Sequence, residues 1–357
     1  GDGQRTVVMD TMRALADLCA QWKTSHEALE WLRKRREVAR IQGEPFYLDA
    51  TADVARHMQE SGDLEGAKQL YSEVRDREAR VFGVESERHL STLANLGWIA
   101  QDVRNLEEAE ALFDQIKVVQ SSLSEDPAMQ LRLLDTLSNL ADIKKEQNKL
   151  SAAADLLTRV RDGFAKHLGR DHPDYLTSLS NLASVYRRMG RLDDASVLFR
   201  EELDGEETVL GVDHPDTLST LRNCLSVLRQ MGKAAEAEAL AAPVVERSIA
   251  KATSLITTAA TEGSGVIRLC GIFLDQRGCS WLSSRAELRH SAVRALDMQN
   301  CNVGALGLQE LVGLLSEPSL ALAEVNLSAN SVIGEGGRPI LDGLCQFGGA
   351  SPGWLLH

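Results

Sequence analysis

The segment GRDHPDYLTSLSNLASVYRRMGRLDDA (169–195) returns 42 residues later as GVDHPDTLSTLRNCLSVLRQMGKAAEA (211–237). A fixed period constrains a fold strongly, because each copy buries its apolar face only by stacking on the next. With Asn181 as anchor, the equivalents are Asn223 at +42, Asn139 at −42, Asn95 a further 44 back and Asp53 a further 42 back. Nine residues after each anchor stands a turn residue: Gly62, Arg104, Asn148, Gly190, Gly232. Five further comes alanine every time (Ala67, Ala109, Ala153, Ala195, Ala237), and four beyond that Tyr71, Phe113, Leu157, Phe199 and Ala241.

Each copy reads as two amphipathic helices joined by a short turn. In the fourth, Leu176, Leu179, Leu182 and Tyr186 recur at helical spacing, followed by Leu192, Ala195, Leu198 and Phe199. Gly190 suits the left-handed residue that ends a helix. The second-helix alanine faces a small residue on the first, Ala55, Gly97, Ala141 or Ala183; in the fifth copy Leu225 and Ala241 exchange bulk. Residues 1–44 fit a divergent N-terminal repeat or cap, with Ala16 and Ala28 as its small pair.

The twice-used Asp-His-Pro-Asp raises the question of a duplicated reactive site. Pro173 and Pro215 fit the opening turn of a helix, where a missing N–H is harmless. Asp171 and Asp213 are placed to cap that turn, and Asp174 and Asp216 to face its positive end. A metal or acid–base pair on His172 and His214 needs converging ligands, and the 42-residue step separates the two histidines by a repeat. The motif therefore reads as punctuation.

The pattern LGxDHPDxLxxLxNLAxxYxxxGxLxxA is matched best at 168–195 and again at 210–237. Through it, residues 45–246 resemble tetratricopeptide repeats of the kinesin light chain and nephrocystin-3 variety. The resemblance implies a right-handed superhelix whose groove is lined by the first helix of each copy. The groove would then carry Asn95, Asn139, Asn181 and Asn223, whose carboxamides can both donate to and accept from the backbone of an extended peptide.

After TEGSG (261–265), a candidate hinge, the period changes to 29: VRALDMQNCNV (293–303) returns as LAEVNLSANSV (322–332). Alternating apolar residues predict a short strand, and the spacing after Gly307 and Gly336 predicts a helix. Residues 266–350 resemble leucine-rich repeats of the ribonuclease-inhibitor type, with 351–357 as a tail. Cys301 and Asn330 hold the position that satisfies backbone groups at the strand's exit. GEGG (334–337) lacks the spacing of a phosphate loop. The expected fold class is mainly α: a tetratricopeptide α-solenoid of five to six helix-turn-helix repeats, then a short α/β leucine-rich-repeat horseshoe segment.

Net charge is −13, with residues from Gly263 onward carrying six Lys+Arg against eight Asp+Glu. An acidic array of this kind repels a phosphate backbone, so nucleic acid is not an expected partner. No apolar run reaches the roughly 20 residues a membrane helix needs. The six cysteines (19, 224, 270, 279, 301, 345) form no CxxC pair, which fits free thiols in a reducing, cytoplasmic setting. The opening GDGQRTVVMD, without an initiator Met or signal-peptide order, reads as an internal excerpt.

No Walker loop, nucleophile elbow, HExxH helix or kinase signature is present. The expected function is a non-enzymatic scaffold or adaptor without cofactor or metal. It binds extended protein segments in the first groove and uses the leucine-rich repeats as a second surface. The alternative is a regulatory or sensor region of a larger enzyme or of a GTPase-activating or nucleotide-binding receptor protein, with Arg268, Arg277 and Arg338 as rim candidates for the GTPase-activating case. Six and seven residues past each anchor lie Gln59/Glu60, Gln101/Asp102, Lys145/Glu146, Arg187/Arg188 and Arg229/Gln230. Together with Arg222, the arginines Arg187, Arg188 and Arg229 predict a basic stretch suited to acidic peptides.

Overall fold

The computed structural model describes residues 2–21, 25–123, 126–261, 266–270, 272–274, 276–284, 295–298, 301, 303 and 307–311, with the backbone of 324–326 and 354–355. The chain divides into two compact units, 1–189 and 190–357. The change of period at 261–265 lies within the second, and 262–265 are outside the described residues.

The first unit is a run of helical hairpins: α1 (Asp2–Gln21) with α2 (Ser25–Gln42), α3 (Glu44–Glu60) with α4 (Leu64–Val81), α5 (Glu87–Asp102) with α6 (Leu106–Ser122), and α7 (Pro127–Glu146) with α8 (Leu150–His167). α9 (Pro173–Arg188) packs on α8 and closes it. In the opening hairpin Ala16 and Ala28 are buried together with Leu32 and Val54.

All five turn residues have positive φ: Gly62 (90°), Gly190 (76°), Gly232 (73°), and also Arg104 (63°) and Asn148 (59°). The bonds Gly62 N–H to Gln59 O (3.0 Å) and Asp63 N–H to Met58 O (2.8 Å) make a Schellman closure, repeated at Arg104/Asn105, Asn148/Lys149 and Gly232/Lys233. Two of these turns thus hold a side chain in a backbone region that disfavours one.

The first helices open differently from expectation. The N-caps of α9 and of α11 (Pro215–Gln230) are His172 and His214, not Asp171 and Asp213. Each imidazole Nδ1 accepts the N–H of Asp174 or Asp216 at 3.2 Å. Histidine replaces aspartate because its ring nitrogen, two residues before the donor, offers the same acceptor. Pro173 and Pro215 are the first helical residues.

The small residues mark close approaches. Ala67, Ala109 and Ala153 are fully buried, and a Cβ on Gly97 would lie 2.6 Å from the Phe113 ring. Between hairpins the contact includes a recurring polar position. Twenty-five residues past the anchors stand Glu78, Gln120, Phe164 and Glu206. Three residues before the next anchors stand Thr92, Thr136, Ser178 and Thr220. Thr136 Oγ1 donates to Gln120 Oε1 at 2.7 Å, both side chains buried. Thr92 hydrogen-bonds Glu78, and Thr220 hydrogen-bonds Glu206 and, at 3.2 Å, Glu202. Where Phe164 removes the partner, Ser178 turns back to the Tyr175 carbonyl at 2.6 Å.

In the second unit α10 (Leu192–Val209) packs on α11, and α11 on α12 (Ala234–Thr261), which has 28 residues. Its first half buries Ala237, Ala241 and Val245; its last half buries Ala252, Ile256 and Ala259 with Ile267, Leu269, Ile272 and Leu274. The strands β1 (Val266–Arg268), β2 (Ala295–Asp297), β3 (Glu324–Asn326) and β4 (Trp354–Leu355) pair in parallel in chain order. Paired residues are 29 apart: Ile267 with Leu296, Leu296 with Val325, Val325 with Trp354. Buried Cys301 donates its S–H to the Leu269 carbonyl (2.8 Å), and helix α13 (Gln276–Ser283) packs on α12. Asn330, Arg338 and GEGG lie outside the described residues.

Candidate peptide-binding face

The first helices α3, α5 and α7 are linked side by side through their exposed faces. Arg88 of α5 pairs with Asp49 of α3, and Arg132 of α7 with Glu87 of α5 at 2.6 Å. Gln101 of α5 donates to Glu146 of α7, whose carboxylate also lies 3.9 Å from Arg104. These bonds set the row in which the anchors stand.

Asn95, Asn139 and Asn181 are half-buried on this row in the first unit, and Asn223 is half-buried in the second. Asn139 Oδ1 accepts the indole N–H of Trp98 at 3.5 Å. Among the described residues the carboxamides of Asn95, Asn181 and Asn223 make no hydrogen bond. The fifth anchor, Asp53, is different. It is 8% exposed and held by Arg35 (2.6 Å), Arg56 (3.1 Å) and Arg13 (3.6 Å). Its carboxylate is spoken for, and the row of available amides starts at Asn95.

Trp98, one helical turn beyond Asn95, was not singled out by sequence pattern. It is 42% exposed, with its ring tilted against Phe113 at 6.4 Å. A tryptophan at helical spacing reads as core; only the structure shows its outward half. Exposed tryptophan on a polar face is the residue type that most often carries binding energy.

The basic candidates divide. Arg187 is half-buried and Arg188 exposed; neither makes an ion pair among the described residues. Arg229 is exposed and likewise without one, whereas Arg222 is half-buried, and burial lowers its pKa. At about 100° per residue, seven steps return Arg188 to the side of Asn181. Six steps leave Arg187 and Arg229 about 120° away from their anchors. Asn181, Arg187 and Arg188 belong to the first unit, and Arg222, Asn223 and Arg229 to the second.

Among the described residues no group of three His, Cys, Asp or Glu could hold a metal ion, and no helix is long and apolar enough to cross a membrane. Cys224 is buried, and burial, reinforced by the nearby Glu202 carboxylate, pushes its thiol up to about 12. Arg268 and Arg277 are both exposed.

Tetratricopeptide-repeat models match residues 89–117 and 132–205. No curated protein matches the chain. Among solved structures, the putative kinesin light chain repeats of Podosopora anserina are 25% identical over 54% of this chain and 90% of theirs, with a TM-score of 0.48. BtubC (BKLC) of P. vanneervenii is 17% identical over 65% of this chain and 87% of its own, TM-score 0.49. The signal transduction ATPase with a tetratricopeptide-repeat sensor from Pyrococcus horikoshii is 13% identical over 66% of this chain and 35% of its own, TM-score 0.55. The helical repeats within 89–117 and 132–205 thus match tetratricopeptide repeats, and kinesin light chain-like repeat structures are among the solved structures similar to the chain.

Proposed function

We propose that the chain is a non-enzymatic interaction scaffold whose first-helix face holds extended segments of partner proteins. The observation carrying this is the pair of half-buried anchor amides in the first unit, Asn95 and Asn181, whose hydrogen-bonding groups are unused among the described residues; Asn223 is in the same state in the second unit. A carboxamide in that state can accept a peptide N–H and donate to a peptide C=O regardless of side chains. Arg187 and Arg188 in one unit, and Arg222 and Arg229 in the other, favour acidic segments. Each charge-assisted bond contributes about 1.5–3 kcal/mol before desolvation.

In this reading residues 266–350 are leucine-rich repeats forming a second surface. The 29-residue strand register and the Cys301 bond to Leu269 support that architecture. The helical array then spans 45–260, after an N-terminal cap at 1–44, and the protein works in the reducing cytoplasm.

Fluorescence anisotropy of a labelled, extended acidic decapeptide with the full chain tests the proposal. Arg188→Glu should weaken binding at least tenfold, and added salt should weaken wild-type binding. An unchanged affinity in this variant would remove the basic stretch from the reading. Unchanged binding after Asn95→Ala and Asn181→Ala together would remove the face itself.

A further inference from the structure

Asn95, Trp98 and Asp102 stand three and then four residues apart on α5, so they share one stripe of the first-helix face. The Trp98 indole is exposed on that stripe, its ring tilted against Phe113 and its N–H turned to the Asn139 amide of α7. Three other rings lie under cations of the chain itself: Trp31 under Lys34 at 4.7 Å, Tyr47 under Arg36 and Arg77, and Phe82 under Arg88 at 5.1 Å. Among the described residues no cation covers Trp98.

The surrounding charge favours a cation. Asp102, one turn past Trp98, is exposed and makes no ion pair among the described residues. Asp142, at the register of Trp98 on α7, is held by Lys145. Glu146 accepts from the neutral Gln101 and lies 3.9 Å from Arg104, whose side chain is 82% exposed. These three carboxylates meet two cations, and the one left over is Asp102, beside the indole. An anion is repelled there, whereas the electron-rich face of an indole attracts a cation more strongly than any other ring in proteins. A planar guanidinium suits the pair better than an ammonium, because it stacks flat on a ring while its fork donates to a carboxylate. We propose that Trp98 and Asp102 receive an arginine side chain of the bound segment, the guanidinium stacked on the indole and donating to the Asp102 carboxylate.

Such a pair reads one side chain of a segment held by the first-helix face, so it rests on that reading and adds an order of charges to it. α5 and α9 belong to the same unit, and the segment then carries arginine over α5 and an acidic residue toward Arg188 on α9. Asn95, one turn before Trp98, is left for the segment's backbone. A free arginine derivative probes the pair with no segment present.

The test is a nuclear magnetic resonance titration of the full chain, isotopically labelled at its tryptophan indole nitrogens. The probes are Nα-acetyl-arginine-N-methylamide and its citrulline and lysine counterparts. The Trp98 indole resonance, identified by its loss in Trp98→Phe, should shift saturably with the arginine probe. Citrulline keeps the planar shape without the charge, and lysine keeps the charge without the plane; each should bind at least threefold more weakly. Asp102→Asn should remove the preference for arginine over citrulline while the thermal melt is unchanged, since Asp102 is exposed. Arg188→Glu should leave the arginine response intact while weakening the acidic decapeptide, which separates this pair from the basic stretch. An arginine preference that survives Asp102→Asn, an arginine response matched by either counterpart, or a Trp98 resonance that the arginine probe does not move would overturn the proposal.

Discussion

Replacing Glu78 by glutamine should make the folded chain more stable at neutral pH. The native carboxyl is almost wholly buried, with one oxygen bonded by Thr92 and the other unpartnered among the described residues. Gln120 shows what a neutral side chain does at this register: it accepts from Thr136 at 2.7 Å. The substitution keeps the threonine bond and removes an ionisable group whose folded pKa lies above its ordinary value of 4.5. Below that value both folded and unfolded chains hold the proton, and wild type and variant should have similar stability. Above it the unfolded chain ionises first, so the wild type loses stability as pH rises through the raised folded pKa. The variant has no such loss. A poorly satisfied buried group costs about 1–3 kcal/mol, which sets the gain expected at pH 7. In a unit of 189 residues this corresponds to about 2–4 °C for each kcal/mol. Urea unfolding at pH 4 and pH 7 checks it. A variant less stable than wild type at pH 7, or an advantage equal at the two pH values, refutes the argument.

Gly97→Ala should destabilise the first unit by about 1–3 kcal/mol, because the new methyl meets the Phe113 ring at 2.6 Å. The same change at Gly83, where a Cβ meets nothing but φ is 88°, should act only through backbone strain, so melting curves of the pair separate packing from conformation. Cys224, with its thiol pushed up to about 12, should resist a disulfide exchange reagent at pH 8 in the native chain and react once urea opens the unit.

The hairpin register was readable because backbone needs are local. A left-handed residue must follow each first helix, and Gly62, Arg104, Asn148, Gly190 and Gly232 all prove to be that residue. The prolines at 173 and 215 likewise sit where a helix tolerates them. The caps were misassigned because Asp171 and His172 are adjacent acceptors, and only loop geometry decides between them. The polar contacts between hairpins were invisible for another reason. Glu78, Gln120 and Glu206 stand one turn past the last apolar residue of their stripes (Val74, Ile116 and Leu203), and a polar residue at the end of a stripe reads as solvated until its distant threonine is found. Of the candidate site, the anchor amides were legible through periodicity. Trp98 was not, since exposure depends on the neighbouring helix.

Helix α12 serves two cores with one backbone: Ala237 and Ala241 face the hairpins, while Ala252, Ile256 and Ala259 close the core beneath β1. The consequence concerns severance. Neither the hairpin part nor the parallel-strand part of the second unit can be cut away without leaving the other an uncovered apolar flank on the same helix. A break within α12 should therefore unsettle both halves at once.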